Sequence, residues 1–388
     1  MNASDRVRER LAAQTTQAWS VPGVIDLGIG QPQDAILPLE ILRKAAAEYS
    51  LTSERHPLQY GNELGDGFLR LALAEFLGEH YGIPVDPEPI FITNGNSQAI
   101  DLVCSVFAKP GDVVFVEEPS YFLAIDIFRH HGLQIVGIPV DEHGLSIDAL
   151  ETALARHTPA FVYTIPAFHN PTGVTLAQER RLRLVELAQR FGFLVVADEV
   201  YQLLDYAGDA PAPMAAYLGS GTVLSLGTFS KILAPGLRLG WIQADMSLIR
   251  RLAAMPYVIS GGGLNPFTSS IVRSVIERGW LLDYLRSLRS LFRERIDVMD
   301  AALRRHFPQG VNFHKPNGGY FFWLRLADGI DASRFIEPAQ KLGVGFRAGP
   351  KFSVGAGQAN CIRLSFAYYD AAAIEAAIPL LARAIALE

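Results

Sequence analysis

Between Ser225 and Trp241 the chain reads Ser-Leu-Gly-Thr-Phe-Ser-Lys-Ile-Leu-Ala-Pro-Gly-Leu-Arg-Leu-Gly-Trp, which sets Lys231 just behind two hydroxyls and a short hop ahead of Arg238. From Thr228 to Leu233 the run is apolar apart from those hydroxyls and the one amine. An ammonium in such surroundings is costly to desolvate unless it is neutral, paired or covalently bound. Thr228 and Ser230 can hydrogen-bond a phosphate, and Arg238 can grip one bidentately. One reading is a Schiff base between Lys231 and an aldehyde cofactor that carries a phosphate. The other is a surface turn in which Lys231 snorkels and Pro235-Gly236 is plain loop.

Lysine usage singles out Lys231. Arginine supplies most of the positive charge, and lysines occur only at Lys44, Lys109, Lys231, Lys315, Lys341 and Lys351. The other five sit in polar helical stretches, beside proline or in a glycine-rich loop; only Lys231 follows strand-like apolar residues with hydroxyls next door.

Three further constellations follow apolar runs. Thr93-Asn-Gly-Asn-Ser-Gln98 joins a strand to a helix, so it reads either as a phosphate cradle of free N–H groups or as an ordinary N-cap through Ser97. Phe168-His-Asn-Pro-Thr-Gly173 is turn chemistry, or a loop in which Asn170 donates to an anionic oxygen. Val195-Val-Ala-Asp-Glu-Val-Tyr201 ends an apolar strand in two carboxylates. A charged Asp198 there needs a cationic partner or several donors; the cation could be a metal, which no histidine nearby in sequence supports, or a protonated heterocycle, with Tyr201 facing the same ligand. Tyr121, after Glu117-Glu-Pro-Ser120, is core packing or a stacking platform for a flat ring. Arg363, inside the apolar run Cys361-Ile-Arg-Leu-Ser-Phe366, has no acid nearby in sequence and asks for a carboxylate from elsewhere.

These residues need a scaffold. The sequence predicts strands over 89–93, 112–117, 133–140, 160–165, 193–197, 222–226 and 239–243, alternating up to 197 with helices over 97–107, 121–131, 146–156 and 177–191. Continuous Val, Ile, Leu and Phe in the strands implies an α/β unit with a mainly parallel sheet covered on both faces, where ligands collect at the carboxyl ends of strands. Helices are also predicted over 5–16, 39–50 and 65–81, with 25–32 extended into a glycine turn. Beyond 269 the pattern changes to a long helical region, 269–306, then strands over 319–325 and 361–366 and helices over 332–342 and 370–387. That describes a smaller α+β layer packed with the N-terminal arm.

Composition agrees with two packed units: 388 residues, 49% hydrophobic and 19% charged, a globular balance. A formal net charge of −6 gives no electrostatic reason for nucleic acid. Cys104 and Cys361 are far apart in apolar contexts, against a disulfide framework or zinc site and in keeping with a reducing cytoplasm. The N-terminus has no apolar core of a signal peptide, and no stretch is long enough to span a bilayer. A soluble cytoplasmic protein is expected.

Taken in order from Gly28 to Arg363, which is most of the chain, these motifs resemble the class I/II aminotransferases, fold-type-I pyridoxal-phosphate-dependent enzymes. Gly-Thr-Phe-Ser-Lys-Ile-Leu-Ala-Pro-Gly-Leu-Arg-Leu-Gly-Trp is most similar to the branch with 2-aminoadipate, kynurenine and broad-specificity aminotransferases. The resemblance implies a fold-type-I transferase with a large domain around a mainly parallel seven-stranded sheet, plus a smaller α+β domain. Its divisions would be an N-terminal arm and part of the small domain (1–48), a large cofactor-binding domain (49–285) and a small C-terminal domain (286–388). It also implies a cytoplasmic homodimer with active sites at the subunit interface, bound to pyridoxal 5′-phosphate, and no metal, nucleic acid or membrane partner. The reaction implied, in amino acid metabolism, is transfer of an amino group from an L-amino acid to a 2-oxo acid, 2-oxoglutarate or pyruvate, by a ping-pong cycle.

Carried over residue by residue, Lys231 would form the Schiff base with the cofactor and then move the substrate's proton. Asp198 would hold the pyridine nitrogen protonated. Tyr201 and Asn170 would hydrogen-bond the ring 3-oxygen, and Tyr121 would stack on the ring. Asn96, Ser97, Gln98, Thr228, Ser230 and Arg238 would cup the phosphate, with Tyr60 reaching in from a second subunit. Arg363 would bind the substrate α-carboxylate, with Gly30 and Asn170 beside it.

Two departures stand out. The interval from Lys231 to Arg238 is one residue shorter than in aspartate and tyrosine aminotransferases, matching the aminoadipate branch, and Thr228 replaces the commoner serine. No counterpart is found for the arginine that aspartate aminotransferases place on a distal carboxylate. Because one cofactor cage serves several reactions, a lyase or decarboxylase is the first alternative. A non-catalytic binding module, like the sensor domains of related bacterial regulators, is the second; no helix-turn-helix domain fits ahead of residue 25, which disfavours it.

Overall fold

The computed structural model describes residues 21–51, 55–307, 310–355 and 357–386; the helix expected over 5–16 lies outside the described residues. Thirteen strands are assigned there: β1 (Ile25–Asp26), β2 (Ile90–Thr93), β3 (Val113–Glu118), β4 (Gln134–Asp141), β5 (Gly144–Leu145), β6 (Pro159–Thr164), β7 (Leu194–Asp198), β8 (Val223–Thr228), β9 (Gly240–Ala244), β10 (Phe321–Arg325), β11 (Val344–Gly345), β12 (Arg347–Ala348) and β13 (Cys361–Ser365). One sheet has the order β2-β9-β8-β7-β6-β3-β4-β5. The four central pairings, β4 with β3, β3 with β6, β6 with β7 and β7 with β8, are parallel. The β8–β9 and β9–β2 pairings are antiparallel, because only a short loop joins β8 to β9 and no crossover helix reverses the chain. Seven strands are those read from the sequence; the eighth, β5, is a two-residue antiparallel edge on β4.

Burial explains the strand sequences. All five residues of β9 and all six of β8 are buried, since helices cover both faces of the sheet and a water-facing side chain has no place there. Parallel pairing aligns the carboxyl ends of β6, β7 and β8, so Thr164, Asp198 and Thr228 emerge on one edge. Helix boundaries are set by local chemistry. Asp66 accepts from Leu69 N at 2.7 Å to cap the helix Gly67–Tyr81.

The second layer is a three-stranded antiparallel sheet, β10-β13-β12, flanked by the parallel pair β1–β11. The 27-residue helix Trp280–His306 packs against Ala371–Ile385 beside it. The long helical region expected over 269–306 consists of two helices, Pro266–Glu277 and Trp280–His306, separated at Gly279, whose φ of 72° leaves the helical region. The division expected at 285/286 falls inside the second of these helices. Sequence reading also missed the helices Met246–Ala253 and Pro256–Gly261.

Gly227 in β8 faces Trp241 in β9 across the antiparallel pair, and a Cβ built on it would come within 2.1 Å of the indole ring. Glycine is therefore required one residue before Thr228. Gly227→Ala should destabilise the protein by about 1–3 kcal/mol through overpacking, read as a lower Tm in thermal unfolding.

Candidate functional site

Asp198 ends β7 and is 3% exposed. Burial, the dominant influence, raises its pKa, while Tyr163, Asn96 and the Lys231 charge pull the other way. Tyr163 OH donates to Oδ2 at 2.7 Å, and Asn96 Nδ2 donates to Oδ1 at 2.6 Å. Two donors favour the carboxylate form but supply no counter-charge, so the site retains a demand for a cation. Among the described residues no cluster of histidine, cysteine and acid could hold a metal ion, leaving Lys231 or a bound cationic ring for that role.

Lys231 lies three residues beyond β8. Its Nζ donates to Gly30 O at 3.1 Å and sits 5.3 Å from the centre of the Tyr320 ring. Desolvation first, then the Arg363 and Arg238 charges, lower its pKa from 10.5 to about 8, with Asp198 opposing them. A larger share of neutral, nucleophilic amine is therefore present near neutral pH than on a water-exposed lysine.

The expected phosphate cup is partly assembled. The helix Asn96–Phe107 begins after Gly95, which has no side-chain cap, so the reading of Ser97 as N-cap is corrected: Ser97 lies exposed within the first turn. That leaves unpaired N–H groups at a helix start, a place suited to an anion. Arg238, at φ 47°, donates to Asn94 O at 3.2 Å and lies against Gly95, where a Cβ would come within 3.0 Å of Nη2. Ser230 N donates to Thr228 Oγ1 at 3.1 Å, and that hydroxyl in turn donates to Ser230 Oγ at 3.0 Å. Gln98 Oε1 accepts from Asn94 N at 3.2 Å, and its Nε2 donates to Tyr257 OH at 2.8 Å. The Asn96 side chain is turned onto Asp198, and its backbone N–H stands in the first turn of the helix. Tyr60 is 82% exposed and stands outside this group within the single chain.

The small layer supplies the other wall. Arg363, 3% exposed in β13, donates through Nη1 to Asn170 Oδ1 at 3.0 Å and through Nη2 to Gly28 O at 2.7 Å. Its guanidinium packs over Phe321 and Phe352, 4.1 and 4.8 Å from the ring centres. Burial lowers its pKa to about 9, still cationic at neutral pH. Nε is buried with no hydrogen-bond partner among the described residues, an open donor that a carboxylate would satisfy. Gly30 is tight against this group, a Cβ there falling 3.0 Å from the Phe321 ring and 3.5 Å from Arg363 Nη2. Tyr201, 2% exposed, packs on Tyr320 with ring centres 5.3 Å apart, and burial drives its pKa well up. Tyr121 immediately precedes the helix Phe122–His130 and packs edge-on to Phe122, 5.6 Å between centres.

Three neighbours were not singled out from sequence. Tyr163 holds Asp198, and Tyr320 flanks Lys231, its hydroxyl donating to Lys231 O at 3.3 Å. His169 lies 3.0 Å from Glu117 through Nε2 and 2.8 Å from Thr172 Oγ1 through Nδ1, which braces the loop carrying Asn170. Each is an aromatic or charged residue inside an apolar or turn segment, where the only sequence signal is residue type.

The donor set fits a specific kind of group. A weakly basic amine suits an aldehyde, a desolvated carboxylate suits a protonated ring nitrogen, and a helix start beside Ser230 and Arg238 suits a phosphate. Pyridoxal phosphate carries all three.

The comparisons agree. The family model described as Aminotransferase class I and II matches residues 22–381. The chain is 38% identical to aromatic-amino-acid aminotransferase 1 of Thermococcus litoralis, over 99% of this chain and 92% of that one. It is 34% identical to the 2-aminoadipate transaminase of Thermus thermophilus, over 94% and 90%. The solved structure of Pyrococcus horikoshii kynurenine aminotransferase, in complex with PMP, superposes with a TM-score of 0.88 at 36% identity, covering 100% of this chain and 96% of that one.

The lowered Lys231 pKa has two measurable consequences. Amine labelling of ligand-stripped protein, read by mass spectrometry, should modify Lys231 half-maximally near pH 8, whereas an unstructured lysine peptide does so near about 10.4. The folded chain releases this proton at lower pH than the unfolded chain, so the Lys231 penalty on folding is complete below pH 8 and fades as pH rises toward 10.5.

Proposed function

The chain belongs to the class I and II aminotransferases, pyridoxal-phosphate-dependent transaminases, and we propose that it moves the amino group of an aromatic or large apolar L-amino acid onto 2-oxoglutarate or pyruvate. The observation that carries this reading is the convergence of Lys231, Asp198 and the Arg363–Asn170 pair from two layers of the fold on one edge of the large sheet. When bound, pyridoxal phosphate supplies an aldehyde for amines and an electron-accepting ring. In our reading Lys231, Asp198, Tyr121, Tyr201 and Asn170 hold its ring end. The N–H groups of Asn96, Ser97 and Gln98, with Thr228, Ser230 and Arg238, hold its phosphate. Tyr60 joins them from a second subunit.

The chain's own groups divide the remaining work. Tyr163 and Asn96 donate to Asp198 and favour its carboxylate form against burial, and that carboxylate would hold the charge of a bound ring nitrogen positive. Lys231 Nζ, poised near neutrality, takes the proton from the substrate Cα and returns it. Arg363 binds the α-carboxylate through Nε and its free Nη hydrogens, which orients the Cα–H toward Lys231. The Thermococcus relative is named for aromatic amino acids, which supports aromatic or large apolar donors.

A homodimer is part of the proposal. Leu58, Tyr60 and Ile259 are 69%, 82% and 60% exposed, and Tyr257 and Phe267 are exposed with them. They lie on the neighbouring segments 56–62 and 256–267, where a Cβ on Gly61 would be 3.8 Å from Pro266. A concentrated apolar surface beside the phosphate-side residues is what a second copy would cover. No helix among the described residues is long and apolar enough to cross a membrane. Cys104 and Cys361 are free and buried, which supports a cytoplasmic location.

Half-reactions with a panel of L-amino acids should each release the matching 2-oxo acid and no free ammonia or carbon dioxide; release of either would favour a lyase or decarboxylase. Lys231→Ala should lower turnover by at least about a thousandfold, while near-normal activity would refute the assignment. Leu58→Asp with Ile259→Asp should shift the protein to monomer in analytical ultracentrifugation and lose activity with it.

A further inference from the structure

Arg347 of β12 and Arg363 of β13 are direct cross-strand partners, an arrangement in which like charges repel. The segment 26–30 crosses this pair and inserts a single carboxylate. Arg347 Nη1 lies 3.0 and 3.2 Å from the two oxygens of Asp26. Asp26 Oδ1 accepts from Gly28 N at 2.8 Å, and Gly28 O accepts from Arg363 Nη2 at 2.7 Å. The approach is close: a Cβ on Gly28 would be 2.6 Å from Arg347 Nη1 and 2.8 Å from Asp26 Oδ1. Asp26 is 8% exposed, so its charge is little screened by water. The Asp26 and Arg347 charges act on Arg363 in opposite directions.

A buried arginine with an open Nε, next to a buried carboxylate, would ordinarily take that carboxylate as its own partner. Here Arg347 takes it instead. We propose that Arg347 is a positioning residue for substrate recognition: by neutralising and holding Asp26 it reserves Arg363 for the carboxylate of the incoming amino acid or 2-oxo acid. The inference rests on the reading of Arg363 as the substrate-carboxylate group. It assigns to the Asp26–Arg347 pair an electrostatic task distinct from joining β1 to β12. Asp26 also anchors the Gly28 turn through Oδ1, a contact that an asparagine can keep.

The test is the affinity of the holoenzyme for 3-phenylpropanoate, a carboxylate without an amino group, measured by calorimetry with 3-phenylpropanamide as the uncharged control. Arg347→Met, which leaves Asp26 unopposed, should weaken binding about tenfold, a change of about 1.4 kcal/mol. Arg347→Lys should stay within about threefold of the unaltered protein, and Asp26→Asn should bind no more weakly than it. The double variant Asp26→Asn with Arg347→Met, which removes both charges, should recover to within about threefold. Amide binding should not follow this order. A merely structural pair would lower Tm in every variant and leave the double variant as weak as Arg347→Met, which would overturn the proposal. Weaker binding by Asp26→Asn would overturn it as well, and that variant carries the test alone if Arg347→Met does not fold. Arg363→Met separates the two levels. If the probe fails to bind the unaltered protein, or still binds after Arg363→Met, the underlying reading falls and the proposal with it. Lost binding in Arg363→Met with unchanged binding in Arg347→Met overturns the proposal only.

Discussion

Desolvated charge without a full complement of partners organises this protein. Asp198 is buried with two neutral donors, Lys231 has its ammonium form disfavoured, and Arg363 keeps a buried Nε open. Each arrangement is unfavourable taken alone. Together they call for a group that is cationic toward Asp198 and electrophilic toward Lys231, with an anion at Arg363. Pyridoxal phosphate with an amino acid meets each demand. The fold holds these groups in place with a core of buried strands that tolerates the penalty.

The two layers contribute unequal parts. Parallel pairing of β6, β7 and β8 fixes Tyr163, Asp198 and the approach to Lys231 to within the precision of a strand register. The small layer brings Arg363, and the segment 26–30 ties the two together: Gly30 O accepts from Lys231, and Gly28 O accepts from Arg363. A short glycine-bearing stretch thus touches both the Lys231 amine and the Arg363 guanidinium. Displacement of either layer would be felt at both.

Much of this was legible from the sequence because apolar runs mark buried strands, and polar residues at their carboxyl ends mark the ligand edge. Asp198, Asn170 and Thr228 were placed that way, and Arg363 by its isolation in an apolar strand. What escaped depends on register and long-range pairing. Tyr163 reads as a core aromatic; only its neighbouring position beside β7 turns its hydroxyl to Asp198. Asn96 reads as part of a phosphate loop, yet its carboxamide meets an acid 102 residues away. The break at Arg278 and Gly279 inside the expected helical region was hidden because helical periodicity continues on both sides of it.

The central claim is that Lys231, among six lysines, is the one that bonds to pyridoxal phosphate. Borohydride reduction of the purified holoenzyme followed by peptide mass spectrometry tests it directly. The account predicts a phosphopyridoxyl group on the peptide containing Lys231 and on no other lysine. A label on another lysine, or none on a protein loaded with the cofactor, would contradict it.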